Sequence, residues 1–153
     1  MRFSTIIASV LGIGYFPVAS GTVMSIIAVP LAIVIARSGG GTAVVVASLL
    51  AFAIGIWACG AHVRATGRDD PSECVIDELA GQWLACAGVL FAPTSAAELA
   101  VAFLLFRLFD ILKPWPISAA ERLPGGMGVM ADDMLAGLAA AVIAAGVQYT
   151  RII

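Results

Sequence analysis

Between Thr42 and Ala61 the chain runs for twenty residues without a charged side chain. A helix of that length rises about 30 Å, the thickness of the hydrocarbon core of a bilayer. Such a stretch either crosses a membrane or forms the centre of a soluble helical domain. Composition separates the two. The chain is 61% hydrophobic and 12% charged, with a mean hydropathy of +1.05. That is about half the charged share of an ordinary soluble domain and too little to cover a soluble surface. At 153 residues there is room for one domain, so residues 1–153 read as a single membrane-embedded, all-α unit.

Other segments follow the same pattern. Thr22 to Ala36 is a second uninterrupted apolar helix, joined to Thr42 by a tight Arg37-Ser38-Gly39-Gly40-Gly41 loop. Phe3 to Ala19 is apolar, but Gly12, Gly14 and Pro17 interrupt it. It suits an interfacial or re-entrant piece better than a clean span or a cleaved signal peptide. A helix opening at Val75-Ile76-Asp77-Glu78 is expected to run to about Ala92. The next starts near Glu98 and stops at Lys113, because Pro114 and Pro116 cannot continue it. Asp132-Asp133 opens a last apolar helix, Met134 to Tyr149. The expected architecture is a polytopic helical bundle of about four transmembrane spans plus the N-terminal segment. The apolar parts of the third and fourth spans are only about fourteen residues, short of the roughly twenty a bilayer requires.

Fourteen of the eighteen charges fall between Arg64 and Glu78 or between Arg107 and Asp133. With the spans above, the N-terminus and the loops at 62–74 and 113–131 share one side of the membrane. That side collects Arg2, Arg64, Arg68, Lys113 and Arg122, against Arg37 and Arg151 on the other, and is therefore expected to be cytoplasmic. The same assignment carries Asp77-Glu78, Asp110 and Asp132-Asp133 to the cytoplasmic ends of three different spans. Net charge is −2 with no basic stripe, so no nucleic-acid partner is expected. Cys59, Cys74 and Cys86 lack metal-ligand spacing and read as small apolar residues.

Clustered carboxylates repel one another unless a cation holds them, and hard oxygen ligands suit Mg²⁺. Asp77-Glu-Leu-Ala-Gly81 is echoed by Asp133-Met-Leu-Ala-Gly137. In each, a glycine one turn beyond the acid would let another helix come close. Arg107, Asp110 and Lys113 lie three residues apart on one helix face. With Arg64 and Arg68, the basic residues near a metal site would suit a phosphate; a headgroup-anchoring role fits Arg64 and Arg68 equally. Gly125-Gly126-Met127-Gly128 offers backbone amides to an anion, although a flexible turn needs the same residues. A lone His62 excludes phosphatases built on two histidines, and there is no Cys-x5-Arg loop and no Asp-x-Asp pair. What remains is metal-assisted attack of water on a phosphate. A small ion channel or transporter subunit with an acidic cation site is the alternative from another class, and a non-catalytic membrane scaffold is a third.

The chain resembles the phosphatidylglycerophosphatase A family of bacterial membrane lipid phosphatases. Gly21-Thr22 with Ser25 and Pro30 carries the likeness first, followed by Asp70-Pro71 leading to Val75-Ile76-Asp77-Glu78-x-x-Gly81. It continues through Phe106-Arg107-x-Phe109-Asp110-x-x-Lys113-Pro114-Trp115-Pro116-Ile117 and ends with Gly125-Gly126-Met127-Gly128-Val129-Met130-x-Asp132-Asp133-x-x-Ala136-Gly137. Met24 stands where a glycine is usual and Ser20 where a proline is common. The resemblance implies Mg²⁺-dependent dephosphorylation of phosphatidylglycerophosphate to phosphatidylglycerol at the cytoplasmic face of the bacterial inner membrane. On that reading Asp77, Glu78, Asp132 and Asp133 hold Mg²⁺, and Asp110 is a further ligand or a general base. Arg107 and Lys113 neutralise the phosphate, with Thr22, Ser25 and Gly126 as further substrate contacts. Oligomeric state is left open.

Overall fold

The computed structural model describes residues 2–150. Met1 and residues 151–153, with the Arg151 of the charge count, lie outside the described residues. Those described form α1 (Phe3–Ala8), a 3-10 turn (Ile13–Tyr15), α2 (Ser20–Thr66), α3 (Ile76–Ala87), α4 (Ala96–Leu112), α5 (Ile117–Ala120) and α6 (Gly126–Thr150), with no strand among them.

The long α2 is two rods, 20–38 and 41–66, because Gly39 and Gly40 leave helical geometry. Gly40 has φ 59° and ψ −148°, a combination open essentially to glycine alone. The rods fold back on each other. Gly21 lies against Glu78 at the start of α3, Gly40 and Gly41 lie against Leu90 and Phe91 beyond its end, and Gly55 is back beside Ile76. The loop expected over 37–41 is thus a two-glycine reversal. Ser38 still closes the first rod, its hydroxyl donating to the Ile35 carbonyl at 2.7 Å.

Two helices, α2 and α6, are long and apolar enough to cross a bilayer. At twelve and seventeen residues, α3 and α4 rise about 18 and 26 Å and fall short of the core thickness. Of the four spans expected, the structure thus shows α6 and α2 clearly, the latter folded into two rods at Gly39-Gly40, while α3 and α4 fall short. α3 stops at Ala87 rather than near Ala92, since the amides of Val89 and Leu90 turn back to Cys86 and Ala87 at 3.1 Å each. α4 opens on a capping box: the Glu98 amide donates to Ser95 Oγ at 3.2 Å and the Ser95 amide to Glu98 Oε2 at 2.6 Å. α6 begins at Gly126, six residues before the expected start. The glycine run read as a loop is helical from that point because Gly126 packs on the Ile56 carbonyl of α2, where no side chain fits.

Small residues hold the bundle together. Ala28, Ala32, Ala58, Ala80, Ala85, Ala102, Ala136 and Ala140 are fully buried, while Ile26, Leu50, Trp57, Leu104, Leu138 and Val142 point outward. This distribution suits helices surrounded by lipid, where close backbone approach rather than hydrophobic burial drives packing. A soluble domain would bury the large side chains instead.

Candidate active site

The charged helix ends meet at one end of the bundle, around a cleft of about 790 Å³. Asp77 and Glu78 reach it from the start of α3, Arg107, Asp110 and Lys113 from the end of α4, Asp132 and Asp133 from α6, and Thr22 from the start of α2. Backbone packing sets their separation. α3 and α6 cross where Gly81 faces Gly137, each one turn beyond an acid. A methyl group on Gly137 would strike the Gly81 carbonyl, and one on Gly81 would sit 2.6 Å from the carbonyl oxygen of Asp133. The repeated Asp-x-x-x-Gly therefore fixes how closely the two acidic turns approach.

The acids divide into two groups. Asp77, Glu78 and Asp133 each offer a carboxylate oxygen, and these lie within 4.8 Å of one another. Glu78 Oε2 and Asp133 Oδ2 are buried without a hydrogen-bond partner. Three carboxylates this close are a poor arrangement on their own and a good one around a hard divalent cation. The other two acids face cations of the chain. Lys113 Nζ donates to Asp132 Oδ2 and to Glu121 Oε1, both at 2.8 Å. Arg107 Nη1 donates to Asp110 Oδ2 at 2.5 Å, while Arg107 Nε is buried without a partner. Of the four carboxylates expected to share a metal, three come together and Asp132 is turned to lysine instead. Neighbours on a helix point about 100° apart, and here the Lys113 ammonium takes Asp132 while Asp133 reaches Asp77 and Glu78. Burial disfavours the Lys113 ammonium, but Asp132 and Glu121 outweigh it and push its pKa up.

The start of α2 closes another side. Ala19 precedes it in the left-handed region (φ 48°) and supplies no side-chain cap. The first amides of the helix are thus left for a ligand at its positive end. Gly21 lets the Glu78 carboxylate come close, since a methyl group there would push that carboxylate aside. Lys113 is also left-handed (φ 45°), so two strained non-glycine residues flank one cleft. Ser25 is buried with its hydroxyl unpartnered but does not line the cleft, and neither does Gly126. Met24 is wholly buried and packs with Ala28, Val75 and Leu79.

Asp69, Asp70, Glu121 and Arg122 also line the cleft. The first two stand in a polar loop and the others between Pro116 and Pro124, where no helical period assigns a direction. Arg64 and Arg68 are absent from the lining. The cleft therefore carries eight acids against Arg107, Lys113 and Arg122, a balance that repels anions until a cation enters.

Beneath the rim lies a buried chain of polar contacts. His62 joins Thr5 Oγ1 through Nδ1 at 3.1 Å and Glu73 Oε1 through Nε2 at 2.9 Å, and Arg68 also donates to Glu73. Ser72 and Cys74 on either side of Glu73 line the cleft, so this chain braces its wall. Burial works against an ionised Glu73, but hydrogen bonds from His62, the backbone and Arg68 prevail and hold its carboxyl below the ordinary value of 4.5. A depressed carboxyl stabilises the fold above its unfolded pKa, and that stabilisation is lost as pH falls through the folded value. Thermal melts in detergent are expected to show wild type losing stability below about pH 4.5 by more than E73Q does. Parallel melting curves for the two proteins would contradict the brace.

Comparison with known proteins follows the same line. The family model described as Phosphatidylglycerophosphatase A matches residues 6–148. The phosphatidylglycerophosphatase A of Escherichia coli (strain K12) is 34% identical over 140 residues, 90% of this chain and 77% of the relative. That of Haemophilus influenzae is 32% identical over 90% of this chain and 84% of its own length. A Bacteroides thetaiotaomicron protein, provisionally named a phosphatidylinositol-3-phosphatase, is 37% identical over 62% of this chain and 59% of its own. No solved structure gives a match.

Proposed function

The chain belongs to the phosphatidylglycerophosphatase A family, and from that premise we propose that its cleft hydrolyses the terminal phosphate of phosphatidylglycerophosphate with a bound Mg²⁺. The observation that carries this reading is the convergence of Asp77, Glu78 and Asp133 beside Lys113 and Arg107 in one cleft. The three carboxylates would hold the metal, which when bound supplies charge neutralisation and activation of water. Lys113 and Arg107 bind and orient the phosphoryl group through charge-assisted hydrogen bonds. The amides at the start of α2 add a positive helix end. Asp110, held by Arg107, stands ready to take the proton of the attacking water. Asp132 keeps Lys113 aimed into the cleft. The lipid-facing exterior and the long apolar helices support a membrane location, and the excess of Arg and Lys on the cleft's side supports a cytoplasmic face of the bacterial inner membrane.

The test uses the whole protein in detergent with phosphatidylglycerophosphate. Phosphate release is expected with Mg²⁺, with loss in EDTA and recovery on adding Mg²⁺ back. Ion flux in liposomes without phosphate release would instead support a channel. A phosphoinositide monoester is the second reading, favoured by the Bacteroides relative, and faster release from that lipid would replace the first substrate with it.

A further inference from the structure

The cleft holds three cations, and two are already engaged: Arg107 by Asp110, and Lys113 by Asp132 and Glu121. Arg122 is the third, and among the described residues it has no side-chain hydrogen bond or ion pair. Its backbone is nevertheless anchored. Lys113 ties the adjacent Glu121 to Asp132 with two 2.8 Å bonds, so the loop carrying Arg122 is anchored one ammonium group away from the acids. Leu123, beside it, lines the same cleft and is 46% exposed. An uncommitted arginine next to an exposed apolar residue, on the rim of a cleft rich in acids, is suited to an anion that carries an apolar body.

Resting on the functional reading above, we propose that Arg122 binds the phosphodiester of the lipid, the second phosphate of the substrate, while Lys113 and Arg107 take the terminal monoester. A substrate with two phosphates separated by a glycerol needs two anion sites. The inner site is accounted for by paired cations beside the carboxylate triad. The outer site calls for a further cation with apolar surface beside it. Arg122 is the cation of the cleft without an ion pair among the described residues, and the exposed Leu123 next to it offers the apolar contact where the acyl-glycerol begins. Arg122 thereby makes the site selective for a diester-linked headgroup over a plain phosphate.

The two reaction products separate the two anion sites. Phosphatidylglycerol keeps the diester and lacks the monoester; inorganic phosphate is the reverse. In mixed micelles, R122A is expected to raise KM for phosphatidylglycerophosphate and Ki for phosphatidylglycerol about tenfold each, with Ki for inorganic phosphate within twofold of wild type. R122K, which keeps the charge without the planar fork, is expected to fall between. Equal weakening of both inhibitors would place Arg122 at the monoester and overturn the assignment, as would an unchanged KM. No turnover by wild type would overturn the functional reading and this assignment with it, whereas a phosphate-releasing wild type with R122A matching it overturns the assignment alone.

Discussion

D133N is expected to release phosphate at least about 10³-fold more slowly than wild type while remaining folded, an effect worth several kcal/mol in the barrier. The change keeps the shape of the side chain and removes one of three carboxylates whose oxygens lie within 4.8 Å of one another. Without metal, the loss of a negative charge relieves repulsion from Asp77 and Glu78, so D133N should melt no lower than wild type in EDTA. With Mg²⁺ the order should reverse. Wild type gains stability from a ligand bound only by the folded state, and D133N gains little. Melting temperatures with and without Mg²⁺ thus report on the site independently of turnover. D132N supplies the contrast. Its carboxylate meets Lys113 at 2.8 Å rather than the triad, so its loss should slow turnover by only about 10–100-fold, as supporting contacts do, and leave the Mg²⁺-dependent rise in melting temperature intact. Equal loss of that rise in D132N and D133N would contradict the division of the acids.

The meeting of Asp77-Glu78, Asp110 and Asp132-Asp133 was legible in the sequence because it follows from coarse features. Alternating apolar helices and polar loops determine which helix ends share a side, and charges concentrate where helices end. The echo of Asp77…Gly81 in Asp133…Gly137 was readable for the same reason, since a glycine one turn from an acid marks a close crossing. The allocation of partners was not readable. Whether Asp132 or Asp133 faces α3 depends on the rotation of α6 about its axis, and α6 itself starts six residues earlier than its charges suggest.

The two glycine-rich stretches came out differently. Gly39-Gly40 is the tight reversal between two helices that the sequence implies, while Gly126-Met127-Gly128 reads as a loop and is the first turn of α6. Both stretches sit against distant parts of the chain, the Leu90 carbonyl and the Phe91 ring in one case and the Ile56 carbonyl in the other. Likewise His62, a lone histidine in an apolar helix, gave no sign that Thr5 and Glu73 wait on either side of its ring. Contacts that join separate elements of the chain are set by tertiary packing, which local periodicity does not encode.

G81A is expected to be nearly as damaging as the loss of a carboxylate, although it adds a single methyl group far from any charge of its own. That methyl would lie 2.6 Å from the carbonyl oxygen of Asp133 and 2.6 Å from Phe106 Cε2. The first neighbour is helix backbone and cannot rotate away, and Phe106 is wholly buried. Relief requires α3 and α6 to separate, at roughly 1–3 kcal/mol, the usual range for overpacking. Separation moves Asp133 away from Asp77 and Glu78 by a fraction of an ångström to an ångström, and misplacement on that scale can slow catalysis about 10²-fold. Two measurements check the chain of causes. The melting temperature of G81A should fall, and the Mg²⁺ concentration for half-maximal activity should rise, because three ligands held further apart grip the ion less well. A lower melting temperature with an unchanged Mg²⁺ requirement would show that the crossing stabilises the bundle without setting the geometry of the acids. An unchanged melting temperature would show that α3 and α6 do not meet at Gly81 at all.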